Sequence, residues 1–127
     1  MTWTKPQAAI FAIGILHSVF MAGELVPWGR PLIMGLVLDK RKPISFGEKE
    51  YRLLTSVVHN AGVYNGIVAA GLFATLWAGP GVLPVQVALL TGGVVAGLFG
   101  AATLTWETIG QAVFGTAALG IVLCLRA

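Results

Sequence analysis

Between Leu53 and Arg126 the chain carries one charged side chain, Glu107. No soluble fold of this size is built from such a run, because a water-facing surface needs about a quarter of its residues charged. Here 10% of 127 residues are charged and 57% are apolar. The composition therefore specifies an integral membrane protein. At roughly 20 residues per crossing, the length accommodates four helices and no separate soluble domain. The expected fold class is an all-α, four-helix transmembrane bundle with antiparallel up-down topology.

The spans are placed at about 6–26, 53–77, 84–104 and 108–125. Pro6 suits a first helical turn, and Gly79-Pro80-Gly81 makes an uncharged turn between the second and third spans. Trp3, Trp28, Trp77 and Trp106 all fall at predicted span ends, where amphipathic indoles anchor in the interface. The second span begins in water. Ser45-Phe46-Gly47-Glu48 reads as a capping box, and Glu48, Lys49, Glu50 and Arg52 keep its first turns wet. The first span has the length of a signal peptide. It lacks a convincing cleavage site and contains His17 and Glu24, so it is read as a mature helix.

Six of the eight Lys and Arg residues lie between the first two spans, in segment 27–52. The positive-inside rule puts this segment in the cytoplasm of a bacterial inner membrane and both termini outside. The same distribution accounts for the net charge of +3 without nucleic-acid binding. Lys40-Arg41-Lys42 is too short for a typical lipid headgroup patch. The apolar stretch Pro31 to Leu38 is too short to span. Cys124 has no partner for an intrachain disulfide and reads as a small packing residue. No P-loop, dinucleotide fingerprint or zinc-type spacing is present in the sequence.

Polar side chains inside the apolar spans are expensive, so they face the bundle interior, a cavity or one another. His17 and Glu24, seven apart, share a face of the first span with Gly14 and Met21. The second span carries His59, Asn60, Tyr64 and Asn65, and the fourth carries Gln111. At a rise of about 1.5 Å per residue, His59 falls roughly 10 Å inside Arg52 and His17 roughly 13 Å inside Val26. This predicts the two histidines at similar depth. The expected site is a pocket in the cytoplasmic half, lined by His17, Glu24, His59, Asn60, Tyr64, Asn65 and Gln111. Asn60 and Tyr64 share one helix face and are read as site residues. Asn65 lies with Gly62, Ala69 and Leu72 on another face and is read first as interhelical glue.

Small residues at Gly92, Gly93, Ala96, Gly97, Gly100 and Ala101 form two adjacent stripes on the third span. They are expected to bring helix backbones together within one bundle, with a homo-oligomeric seam as the alternative.

The run Asn60-x-Gly62-x-Tyr64-Asn65-Gly66, followed by Ala69-Ala70-Gly71-Leu72, resembles a family of small four-helix bacterial membrane proteins known as a domain of unknown function. His17, Glu24 and Trp28, then Ala96-Gly97-x-x-Gly100-Ala101 and Gly110-Gln111, fit the same pattern. Ala61 stands where that family usually carries Gln, and His59 is not a usual feature of it. This resemblance implies the architecture and no activity. A second, local resemblance joins His59 and Asn65-Gly66 to the second span of styrene oxide isomerase. That likeness implies haem b on His59, with the iron acting on an epoxide oxygen and Asn65 or Tyr64 orienting the substrate.

Three functions follow from this reading. The first is a membrane enzyme, isomerase or similar, acting on a small lipophilic molecule from the bilayer. In it His17 or His59 is acid/base or metal ligand, Tyr64 a proton donor, Asn60 an orienter and Glu24 a partner to histidine. The second is a small proton-coupled transporter using Glu24. The third is a structural or accessory subunit in which the polar groups serve only as glue.

Overall fold

The computed structural model describes residues 2–26, 47–103 and 106–126. Four helices run in chain order: α1 Lys5–Leu25, α2 Glu48–Ala74, α3 Leu83–Thr103 and α4 Ile109–Arg126. Short 3-10 turns at Pro80–Val82 and Trp106–Thr108 introduce α3 and α4. Among the described residues there is no strand. The chain is an antiparallel, all-α four-helix bundle.

Local chemistry fixes the helix ends. Thr4 and Gln7 cap α1 reciprocally: the Gln7 amide N–H donates to Thr4 Oγ1 at 3.3 Å and the Thr4 N–H to Gln7 Oε1 at 3.0 Å. The cap of α2 differs from the Ser45 box expected. The helix starts after Gly47, whose N–H donates to Glu50 Oε2 at 2.6 Å; Ser45 lies outside the described residues. At its other end α2 stops at Ala74, short of Trp77. There the Thr75 hydroxyl donates to the Leu72 carbonyl at 2.7 Å.

Exposed large apolar side chains, among them Val19, Val63, Ile67, Val95, Phe99 and Phe114, outnumber the buried ones. A soluble monomer does not tolerate such a surface; hydrocarbon covers it instead. α1, α2 and α3 are each long and apolar enough to cross a membrane. α4 is a shorter apolar helix of 18 residues, still within the range of roughly 17 to 25 that a crossing needs.

The bundle is divided along its length. Ile10, Ile13, Leu72, Leu76, Leu90, Ala118 and Val122 form the apolar core. All come from the end holding the two termini. Two amides seal that end against backbone: Gln7 Nε2 donates to the Leu76 carbonyl at 3.3 Å and buried Gln86 Nε2 to the Thr75 carbonyl at 3.2 Å.

Around the bundle, α1 packs along α2 and α4, and α3 packs along α4. Glycines set these seams. Gly14 faces the Phe73 ring, Gly66 faces Met21, and Gly62 faces Glu24 and Leu25. On the other side Gly97 faces the Ala112 backbone, Gly100 faces Thr108 and Gly115 faces Val94. The stripe of Gly93, Gly97 and Gly100 is thus buried inside the bundle. Cys124 is exposed rather than packed.

The remaining seam, α2 with α3, is the loosest. Gly71 meets Leu89 close to the turn that joins the helices. Beyond that contact the two helices part, and the opening holds the site.

Candidate functional site

His17 is buried on α1, 2% exposed. It points at α2 because Gly14 and Met21 on the same stripe pack there. Its Nδ1 lies 2.8 Å from Asn65 Oδ1. The Asn65 amide then donates through Nδ2 to Glu24 Oε2, also at 2.8 Å. The three side chains form one hydrogen-bonded line, Glu24 to Asn65 to His17.

Donor and acceptor roles follow from the chemistry of the groups. Asn65 turns its NH2 to Glu24 and its carbonyl to the imidazole, and an amide oxygen only accepts, so the ring nitrogen facing it must donate. The imidazole therefore carries its proton on Nδ1. In the neutral ring this leaves a lone pair on Nε2, next to Gly93: a Cβ there would sit 3.1 Å from that nitrogen.

His17 borders a cavity of about 240 Å³ between α2 and α3. Ala61, Tyr64, Asn65 and Val68 line it from α2, Gly92, Gly93 and Ala96 from α3, and Gln111 from α4. The walls are mostly small and apolar, and the side that gives onto the hydrocarbon is the loose α2–α3 seam. Neither Tyr64 nor Gln111 makes a hydrogen bond to a described residue, so both keep free polar groups at the rim.

The structure brings together His17, Asn65, Tyr64 and Gln111 at the cavity, with Glu24 attached through Asn65. His59 and Asn60 stand apart from it. His59 lies six residues before Asn65, roughly 9 Å along the helix and about 120° around it, and Asn60 is exposed on the surface of α2. The expectation of two histidines at one depth does not hold. It took Val26 and Arg52 as level, whereas Gly62 is level with Glu24 and Leu25. The first turns of α2 thus extend past the end of α1 and carry His59 with them. Asn65 ties α2 to α1 as the glue reading expected and borders the cavity as well, whereas Asn60 does not line it; Tyr64, 61% exposed, stands at its mouth.

Among the described residues no group of three or more His, Cys, Asp or Glu side chains is placed to hold a metal. His59, the residue matched to a haem ligand, has no part in the cavity lining. Segment 27–46, with Lys40-Arg41-Lys42 and the apolar stretch Pro31 to Leu38, lies outside the described residues.

Sequence reasoning missed the role of the small wall residues Ala61, Gly92 and Gly93. Nothing in their chemistry marks them; their contribution is the side chain they lack.

Fold and site together define a small helical membrane protein with a polar line buried beside a laterally open cavity. The family described as a protein of unknown function, DUF1304, matches residues 10–125, and the chain belongs to it. No curated protein and no solved structure matches the chain.

Proposed function

We propose that this protein is a membrane enzyme of isomerase type, which takes a small lipophilic molecule sideways from the bilayer and moves a proton within it. One observation carries the reading: the line from Glu24 through Asn65 ends on His17 at the wall of a cavity between α2 and α3, the most loosely packed of the neighbouring helices. A carboxyl group and an amide that fix an imidazole in one tautomer are the arrangement a general base requires. Nε2 of His17 would take a proton from one atom of the bound molecule and return it to another. Such a step needs no second substrate and leaves no by-product. Tyr64 and Gln111 would steady the oxygen on which charge collects.

The basic segment 27–52 is assigned to the cytoplasm of a bacterial inner membrane, with both termini outside. The cavity then opens from the middle of the bilayer toward its inner leaflet.

Two measurements test the reading. Solvent extraction of protein purified in mild detergent, followed by mass spectrometry, should recover a small lipophilic species that is depleted several-fold from His17→Gln. Incubated with the protein in D2O, that species should gain deuterium at a carbon, and the variant should abolish the exchange. Equal recovery from both proteins with no exchange would favour the structural role, in which the polar line only ties α1 to α2. Proton-coupled transport has less support, because Glu24 bonds to Asn65 and is not among the residues lining the cavity.

A further inference from the structure

We infer that the molecule held in the cavity presents a hydrogen-bond donor to His17, and so belongs to the lipophilic alcohols, phenols or enols. The inference rests on the proposed binding role of the cavity and names the chemistry of its occupant.

The direction of the hydrogen-bonded line decides the matter. Glu24 accepts, Asn65 donates to it and accepts from His17, and the imidazole proton is committed to Nδ1. What remains at the cavity is the lone pair of Nε2, to which no described residue donates. Only a donor satisfies it. An ether, epoxide or ketone has an oxygen for Tyr64 or Gln111 but no donor for Nε2, and so leaves a buried acceptor unpaired, which costs at least as much as a lost hydrogen bond.

The other walls agree. Ala61, Val68, Gly92, Gly93 and Ala96 offer only apolar contact, which suits a hydrocarbon body. Among the described residues no Lys or Arg lines the cavity, so none of them compensates a carboxylate or phosphate head. Gly93 is the residue that keeps Nε2 reachable. A methyl group at this position would sit 3.1 Å from the nitrogen and cover it.

The experiment compares 4-propylphenol with 1-fluoro-4-propylbenzene, which has nearly the same shape and no donor. Protein labelled with 15N-histidine is titrated with each in lipid nanodiscs, and the His17 imidazole signals report binding. The phenol should bind about tenfold more tightly and shift the Nε2 resonance, while Nδ1 keeps the signature of its bond to Asn65. In Gly93→Ala the preference should vanish with the Nδ1 signal unchanged. Equal affinities in the wild type would overturn the donor requirement and leave the binding role intact. If neither compound moves the His17 signals, the binding role fails and this inference with it. A preference that survives Gly93→Ala would also overturn it, since the phenol would then be recognised elsewhere.

Discussion

Nδ1 of His17 and Oδ1 of Asn65 face each other at 2.8 Å across the α1–α2 seam. The same Asn65 side chain reaches Glu24, more than a turn further along α1. One amide thus serves two ionisable partners on the neighbouring helix, and its loss strands both.

Asn65→Leu, which keeps the volume and removes the amide, is expected to destabilise the bundle by about 1 to 3 kcal/mol. In membranes the gain from each interhelical bond is smaller, about 0.6 to 2 kcal/mol, which puts the expected loss in the lower part of that range. Unfolding in mixed micelles titrated with SDS reads the difference. A double-mutant cycle pairing Asn65→Leu with Glu24→Gln should show coupling of about 0.5 to 2 kcal/mol. Additive effects would mean that the Glu24 bond contributes nothing.

Glycine substitutions should sort by what each new methyl group meets. At Gly97 a Cβ would stand 2.5 Å from the backbone nitrogen of Ala112, which cannot turn aside. Gly97→Ala is therefore expected to cost about 1 to 3 kcal/mol through separation of α3 and α4. Gly14→Ala meets the Phe73 ring, also at 2.5 Å. A second change, Phe73→Leu, should recover part of that loss. At Gly120 nothing lies within 4 Å, so Gly120→Ala should be neutral or slightly stabilising. The same SDS titration ranks all three, and a Gly97→Ala bundle as stable as Gly120→Ala would contradict the packing described.

Much of this architecture is legible in the residue pattern, and the limits have physical causes. The nearly uncharged run after Leu53 marks the helices, as do Trp3, Trp77 and Trp106 near their ends. The stripe of Gly14, His17, Met21 and Glu24 correctly marks the face of α1 that packs on α2, because a seven-residue repeat returns to one side of a helix. Gly62, Ala69 and Leu72, the face shared by Asn65, are all buried. Small residues beside an amide therefore marked the seam better than the Asn60–Tyr64 pair did. Depth was harder. It requires knowing where one helix stands against its neighbour, and that register is set by Gly62 and Gly66 meeting residues of α1, contacts that no single helix reveals. The cap of α1 follows from the spacing of Thr4 and Gln7 alone. The cavity was not readable, since it arises from the divergence of α2 from α3 beyond Gly71 and Leu89.

His59 and Asn60 provide a contrast within one helix. Both stand away from the cavity, and Asn60 is exposed. His59→Ala and Asn60→Ala should each change stability by no more than about 0.5 kcal/mol and leave the extracted species undiminished. Tyr64→Phe removes a hydroxyl at the cavity mouth that bonds to no described residue. It should therefore preserve stability while reducing retention of the ligand a few-fold. A His59→Ala protein that folds normally but has lost the extracted species would return that histidine to the site and remove the basis for excluding it.

Orientation can be tested without reference to the site. An even number of antiparallel helices returns both termini to one face, and six of the eight basic residues lie either between α1 and α2 or, as Lys49 and Arg52, in the first turns of α2. A short loop rich in Lys and Arg is retained on the cytoplasmic side. Reporters that are active only in the periplasm should therefore give signal when fused ahead of Trp3 or after Arg126, and none within segment 27–46. Removing Lys40, Arg41 and Lys42 while adding three lysines before Trp3 should invert the bundle or yield both orientations. Charge decides because each basic residue is costly to translocate, and the terminal segments carry only Lys5 and Arg126. If terminal fusions report from the cytoplasm in the unmodified chain, the cavity opens toward the outer leaflet instead, and its ligand would be drawn from that side.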